Sequence, residues 1–139
     1  MATRASIKFS DKDGNFLANV YHHYDGYPEE LGSKLLKLTD GVVVNGISLG
    51  KGMDGVERKQ TFNGFGCLVA SVIGGLKDGR VGNVYLYTED DYGNCGEDYL
   101  YEVIENTEGN GVGVFVKNMD GDWEFVKDIL DRISENLVD

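Results

Sequence analysis

Cysteine, proline and positive charge are all scarce in this chain. It has two cysteines, one proline, and 13 Lys and Arg against 24 Asp and Glu in 139 residues. Each scarcity excludes something. Cys67 and Cys95 are too few for a disulfide framework or a zinc site. One proline beside 20 glycines argues for many tight turns and few rigid linkers. The net charge of −11 and the pI near 4.5 repel a phosphate backbone, which speaks against nucleic-acid binding. A basic protein partner remains compatible with that charge, as does polyanion mimicry or a plain solvated acidic surface. No apolar run reaches the roughly 18 residues of a membrane span, and "MATRASIKFS" has no apolar signal core. The expectation is a cytoplasmic protein with free thiols and no membrane contact.

What is present is globular composition, 41% apolar and 27% charged, in a length that suits one domain spanning residues 1–139. "ASIKFS" alternates Ala5, Ile7 and Phe9 as a half-buried strand, and "FLANVYHHY" returns after the turn "DKDGN". That turn lacks the remaining ligands of a calcium loop and reads as a hairpin. Pro28 suits a first helical position, Glu29 and Glu30 suit the first turn, and Leu31, Leu35 and Leu38 line a helix reaching Thr39. Residues 40–60 read as a long excursion, with "GVVVNGISLG" a candidate short strand and "KGMDGVERKQ" polar and turn-rich.

A second helix follows from Phe65, Leu68, Val69, Val72, Ile73 and Leu76. Cys67 is expected to be buried in it. Gly66, Ala70 and Gly74 are expected to offer a close-approach face, and Gly79 a left-handed cap. Three strands, "GNVYLYT", "DYLYEVIE" and "GVGVFVKN", precede a C-terminal helix. Its start is placed at Asp122, with Trp123, Val126, Leu130, Ile133 and Leu137 on one stripe; the alternative makes "MDGDW" a turn and starts the helix near Val126. The order β-β-α-α-β-β-β-α predicts an α+β fold, a mainly antiparallel sheet of about five strands packed by two or three helices.

Two constellations stand out. In "YHHYDGYPEE" a regular strand sends His22 and His23 to opposite faces, against a two-histidine metal site. His23 and Asp25 can share a face as a histidine–carboxylate pair, yet no nucleophile accompanies them. Asp25 as a turn and cap residue, with His23 packed, is the plainer expectation. In "YLYTEDDYGNCGEDYLY" a hairpin would pair Tyr87 with Tyr99 and Tyr85 with Tyr101, gathering four tyrosines on one face. That face suits a stacking platform, an oligomer contact or an ordinary sheet surface. With Glu89, Asp90, Asp91, Glu97 and Asp98 beside it, a protein or a second copy fits better than a nucleic-acid strand. The same loop matches no calcium spacing, and its cysteine, in "GNCG", is expected to be exposed. No Walker loop, dinucleotide fingerprint, zinc spacing or nucleophile elbow occurs, so no metal or cofactor is expected.

"TRASI" and "VYHHYDGYPEELG" together resemble a group of small phage and prophage proteins. Their pattern is T-R-S/A-x-I, then I/V-Y-C-H-W/Y-D-G-Y-P-E-x-x-G. Thr3, Arg4, His23, Tyr24, Asp25, Gly26, Tyr27, Pro28, Glu29 and Gly32 match it. His22 stands where the pattern has cysteine, which favours His23 as the functional histidine. The resemblance carries no activity; it implies a phage-encoded accessory protein in the host cytoplasm. On that footing the first expectation is a non-enzymatic binder that inhibits a host immune factor through Tyr85, Tyr87, Tyr99, Tyr101, Glu89, Asp90 and Asp91. The second is a protein that sequesters a small nucleotide signal, with Arg4, His23, Tyr24, Asp25 and Tyr27 around the ligand. A His/Asp or metal-assisted hydrolase is the third.

Overall fold

A computed structural model describes residues 2–44, 60–108 and 111–137. Most of the excursion expected over residues 40–60 therefore lies outside the described residues. The fold is α+β, as the order of elements predicts.

The N-terminal hairpin joins β1 (Ala5–Ser10) and β2 (Phe16–His22) in antiparallel register, Ile7 opposite Val20. Its turn is organised by Asp11, whose carboxylate accepts from the backbone N–H groups of Asp13 at 3.0 Å and Asn15 at 2.9 Å. These bonds hold the Asp11 carboxyl below its ordinary range, and Gly14 takes the positive φ of +84° the turn requires. "DKDGN" is a self-bonded turn.

Pro28–Gly32 forms one wide π-type turn that runs into α1 (Ser33–Thr39). Tyr27 sits at the N-cap with no side-chain cap bond. Asp25 is thus not the cap expected of it; its own backbone is left-handed, φ 57°. A small parallel pair follows, β3 (Val42–Val44) with β4 (Thr61–Asn63), and then α2 (Phe65–Lys77). The buried stripe of α2 is as its periodicity predicts: Phe65, Leu68, Val69, Val72 and Leu76. Two details differ. Cys67 is exposed, because it lies one position off that stripe. The close-approach glycine is Gly75, where an added Cβ would lie 2.6 Å from Leu38, whereas Gly66 and Gly74 face open space. Gly75 falls three residues after Val72, on the helix–helix side. Beyond α2, Asp78 as well as Gly79 adopts positive φ.

The main sheet contains β5 (Val84–Tyr87), β6 (Tyr99–Glu105), β7 (Val112–Asn118) and β8 (Glu124–Phe125) in the order β5-β2-β1-β6-β7-β8. All neighbours are antiparallel except β1 and β6. That order overturns the expected tyrosine hairpin. β5 pairs with β2 and β6 with β1, so the connection 88–98 crosses three strand spacings, about 14 Å, instead of turning back. The C-terminal helix α3 is Val126–Leu137, the later of the two starts considered. Asn118 holds the preceding turn by accepting from Asp120 N–H and Gly121 N–H, and the Phe125 ring packs tilted against Phe115, centroids 4.7 Å apart.

Alternation then sorts the two faces of the sheet. Ala5, Ile7, Phe9, Val20, Tyr101, Val103, Val114 and Val116 join Leu31, Leu35, Leu68, Val72 and Val126 of the helical layer in one apolar cluster. Ser6, Lys8, Tyr21, Tyr85, Tyr87 and Glu102 fall on the outer face. Tyr101 is a core residue, 0% exposed, its hydroxyl donating to the Gly26 carbonyl at 2.7 Å. Burial pushes its phenol upward. Tyr99 is half-buried against the same cluster, so neither belongs to a surface shared with Tyr85 and Tyr87.

Candidate functional site

The outer face carries an open groove of about 680 Å³ at the β2–β5 end of the sheet. Register builds its floor. Tyr21 lies opposite Tyr85, Tyr87 is next on the same face, and the three rings form a cluster. Tyr21 and Tyr87 stack at 5.3 Å and 10°, and Tyr85 and Tyr87 lie 6.2 Å apart at 26°. Tyr21 is the buried member, and burial raises its phenol while the Arg4 charge partly opposes the shift. Tyr85 and Tyr87 keep exposed faces.

His23 and Tyr24 continue the floor beyond the strand. The Tyr21 hydroxyl and His23 Nδ1 share a hydrogen bond at 2.8 Å, and the His23 ring meets Tyr24 edge-on at 4.6 Å. Arg4 enters from the start of β1. Its backbone is clamped by Asp98, whose carboxylate accepts from Arg4 N–H at 2.9 Å while Asp98 N–H donates to the Arg4 carbonyl. Among the described residues the exposed Arg4 guanidinium has no carboxylate partner. One wall is the turn at Gly82 and Asn83; the other is Cys95.

Cys95 is half-buried rather than exposed, because the connection 88–98 folds back over the outer face. Glu97, 5% exposed, holds it there. Its carboxylate accepts from Ser6 Oγ at 2.7 Å, Gly93 N–H at 2.8 Å and Cys95 N–H at 2.7 Å. The Tyr92 hydroxyl adds a bond to the Tyr101 carbonyl at 2.7 Å, and Asn19 Nδ2 donates to the Thr88 carbonyl at 2.9 Å. Burial raises the Cys95 thiol, with Glu97 and Asp91 adding to the shift. A thiol so held is a poor thiolate nucleophile at neutral pH. The Asp91 carboxylate is occupied by Thr88 N–H and Oγ1, while Glu89 and Asp90 are exposed.

The expected His23–Asp25 pair is separated. His23 lines the tyrosine groove, whereas Asp25 lines a smaller cavity of about 180 Å³ on the helical side, with His22, Glu30, Lys34 and Lys77. The left-handed backbone at Asp25 breaks the two-residue alternation that would have aligned the pair. His22 is buried, its Nδ1 without a partner, and burial lowers its imidazole below the ordinary range while the Tyr24 backbone and Asp25 oppose the shift. The two histidines do point to opposite faces.

Of the residues expected at a ligand, Arg4, His23 and Tyr24 converge on the groove; Asp25 and Tyr27 do not. Of those expected at a partner, Tyr85 and Tyr87 belong to it, Tyr99 and Tyr101 face the core, and Glu89, Asp90 and Asp91 form a separate turn. No family model, no curated protein and no solved structure matches the chain. The groove therefore has to be read from its own chemistry. Sequence reasoning missed Tyr21, Asn83 and Cys95 as groove residues. Tyr21, two positions before His23 on an alternating strand, carried a usable signal; the other two depend on chain crossings that no local pattern reports. Among the described residues no helix is long and apolar enough to cross a membrane, and no three His, Cys, Asp or Glu side chains gather as a metal site.

Proposed function

We propose that the chain is a binding protein whose tyrosine groove captures a small ligand with a flat ring and one anionic group, of nucleotide type. The observation that carries this is the convergence of Arg4 with Tyr21, Tyr85, Tyr87, His23 and Tyr24 in one open groove. Tyrosine faces stack on any planar ring, and a guanidinium binds phosphate or carboxylate through a fork of N–H donors. The size suits such a ligand, since small-molecule sites span about 300–1,000 Å³. The net charge of −11 opposes a long polyanion, and one arginine matches one anionic group. His23 has Nδ1 committed to Tyr21 and is separated from Asp25, which supports binding over general-base chemistry. On the resemblance to phage proteins, the biological role is that of a phage-encoded accessory protein that sequesters a host nucleotide signal.

Isothermal titration with nucleoside monophosphates tests this. Arg4→Ala and Tyr87→Ala are each expected to weaken binding about ten- to a hundredfold, from about 1.5–3 kcal/mol for a charged hydrogen bond and about 1–3 kcal/mol for a stacked ring. Glu89→Lys with Asp90→Lys should not weaken it. Binding unaffected by Arg4→Ala and Tyr87→Ala would remove the groove from consideration.

Inhibition of a host protein is the second reading, and a different surface favours it. Trp123 and Phe125 at the β8 edge are 40% and 51% exposed beside Met119, with Asp120, Asp122 and Glu124 around them. Aromatic anchors inside an acidic rim suit a basic protein. Under that reading Phe125→Ser and reversal of Asp120 and Asp122 to lysine abolish function, and Arg4→Ala spares it.

A further inference from the structure

The groove's wall at Asn83 is more rigid than a loop wall usually is. The Asn83 carbonyl accepts from His23 N–H at 2.8 Å, and its side-chain Oδ1 accepts from Tyr24 N–H at 2.9 Å. Either side of it, the Gly82 and Val84 carbonyls both accept from Lys77 Nζ at 3.1 Å, and Val84 N–H donates to Gly82 at 2.7 Å. Residues 82–84 are thereby fixed to β2 and to the end of α2.

A backbone N–H can only donate, so the Asn83 atom facing Tyr24 N–H is the oxygen, and the amide orientation follows. The NH₂ group is the free end. Among the described residues it has no hydrogen-bond partner, and Asn83 stands between the tyrosine groove and the smaller cavity, lining both. An asparagine at φ 65° meets a backbone need, since Asn tolerates that region better than most residues. The backbone need explains the residue type but leaves two fixed N–H donors on the wall.

We propose that Asn83 is the specificity-determining residue of the groove, donating to an exocyclic carbonyl on the ring of the ligand. This rests on the groove reading above and names the ligand class more narrowly: oxo-bearing rings are preferred to amino-bearing ones. Arg4 supplies attraction for the anionic group and the tyrosines supply stacking, neither of which distinguishes one ring edge from another. The fixed amide does, because an amine opposite an N–H₂ leaves two donors facing each other.

The test uses two matched pairs, uridine against cytidine monophosphate and inosine against adenosine monophosphate, titrated into the full chain. Within each pair a carbonyl is exchanged for an amine. The wild type should prefer the oxo member by about tenfold, the upper range of one net hydrogen bond. Asn83→Asp keeps an oxygen for Tyr24 N–H, tolerates the same φ and replaces the donors with an acceptor, so the preference should reverse. Asn83→Gly also keeps the backbone and should bring the ratio close to one. Added negative charge in Asn83→Asp weakens every anion alike and does not move the ratio. Ratios unchanged in both variants, with Arg4-dependent binding intact, overturn the specificity role alone. No binding of any of the four to the wild type overturns the groove reading and this inference with it.

Discussion

Removing the Glu97 carboxylate should loosen the groove wall and lower the stability of the whole domain. In Glu97→Ala three donors lose a charged acceptor at once: Ser6 Oγ, Gly93 N–H and Cys95 N–H. Hydrogen bonds to a charged group are worth about 1.5–3 kcal/mol each, which for three would sum to about 4.5–9 kcal/mol if nothing relaxed. The connection is only half-buried at Gly93 and Cys95, so water reaches those amides once the loop lifts. We expect a net loss of about 3 kcal/mol, about 10 °C in melting temperature for a domain of this size. Glu97→Gln retains the shape but turns an NH₂ toward a donor and gives up the charge; about half the loss is expected. Thermal melts followed by circular dichroism, with urea midpoints as a second measure, read both. If Glu97→Ala melts within about 2 °C of the wild type, the buried carboxylate does not hold the loop and the energetic reasoning is wrong.

Four further outcomes follow from particular contacts. Gly26→Ala should cost about 1–3 kcal/mol by urea denaturation, because its Cβ would lie 2.7 Å from Ala5 Cβ and 2.9 Å from the Thr3 carbonyl. Tyr101→Phe should cost about 1–2 kcal/mol in the same assay, through the lost bond to the Gly26 carbonyl. Cys67→Ser should leave the melting temperature within about 2 °C, since the thiol is exposed, whereas a buried Cys67 would make the change costly. For His22, burial lowers the folded pKa below the ordinary 6.5, so the unfolded chain binds the proton first. Its contribution is complete above that value and is lost as pH falls through it toward the lowered folded pKa. Melting temperature should therefore decline as pH falls below about 7, with a shallower slope in His22→Asn.

Local patterns carry much of this fold. The alternation of Ala5, Ile7 and Phe9, the stripe from Phe65 to Leu76 and the proline-led turn at Pro28 each follow from a few residues and one period. Pairing between strands distant in sequence is not carried that way. "YLYTEDDYGNCGEDYLY" satisfies a hairpin pattern, yet β5 and β6 flank the β1–β2 pair, because Tyr101 is needed in the core and Tyr21 extends the tyrosine face. The carboxylates in the connection look like surface charge in sequence, and Glu97 alone turns inward, a choice set by Ser6 on a strand 91 positions away. At the C-terminus, Trp123 fits a helical stripe and Phe125 fits a strand opposite Phe115; the turn at Asn118 decides for the strand.

The site was half legible. Arg4, His23 and Tyr24 come from two short stretches and the resemblance they carry, and they meet in the groove with Tyr85 and Tyr87. Asp25 leaves them because a single left-handed residue redirects the chain, and Asn83 joins them only through the β2–β5 pairing.

The most direct test of the central claim is native mass spectrometry of the purified chain before and after exposure to a deproteinised bacterial extract, with Arg4→Ala treated in parallel. A groove that captures a small anionic ring predicts an added mass of a few hundred daltons on the wild type, absent from the variant, whose fragments include a planar ring and an anionic group. No added mass on the wild type, or the same mass retained by Arg4→Ala, would contradict it.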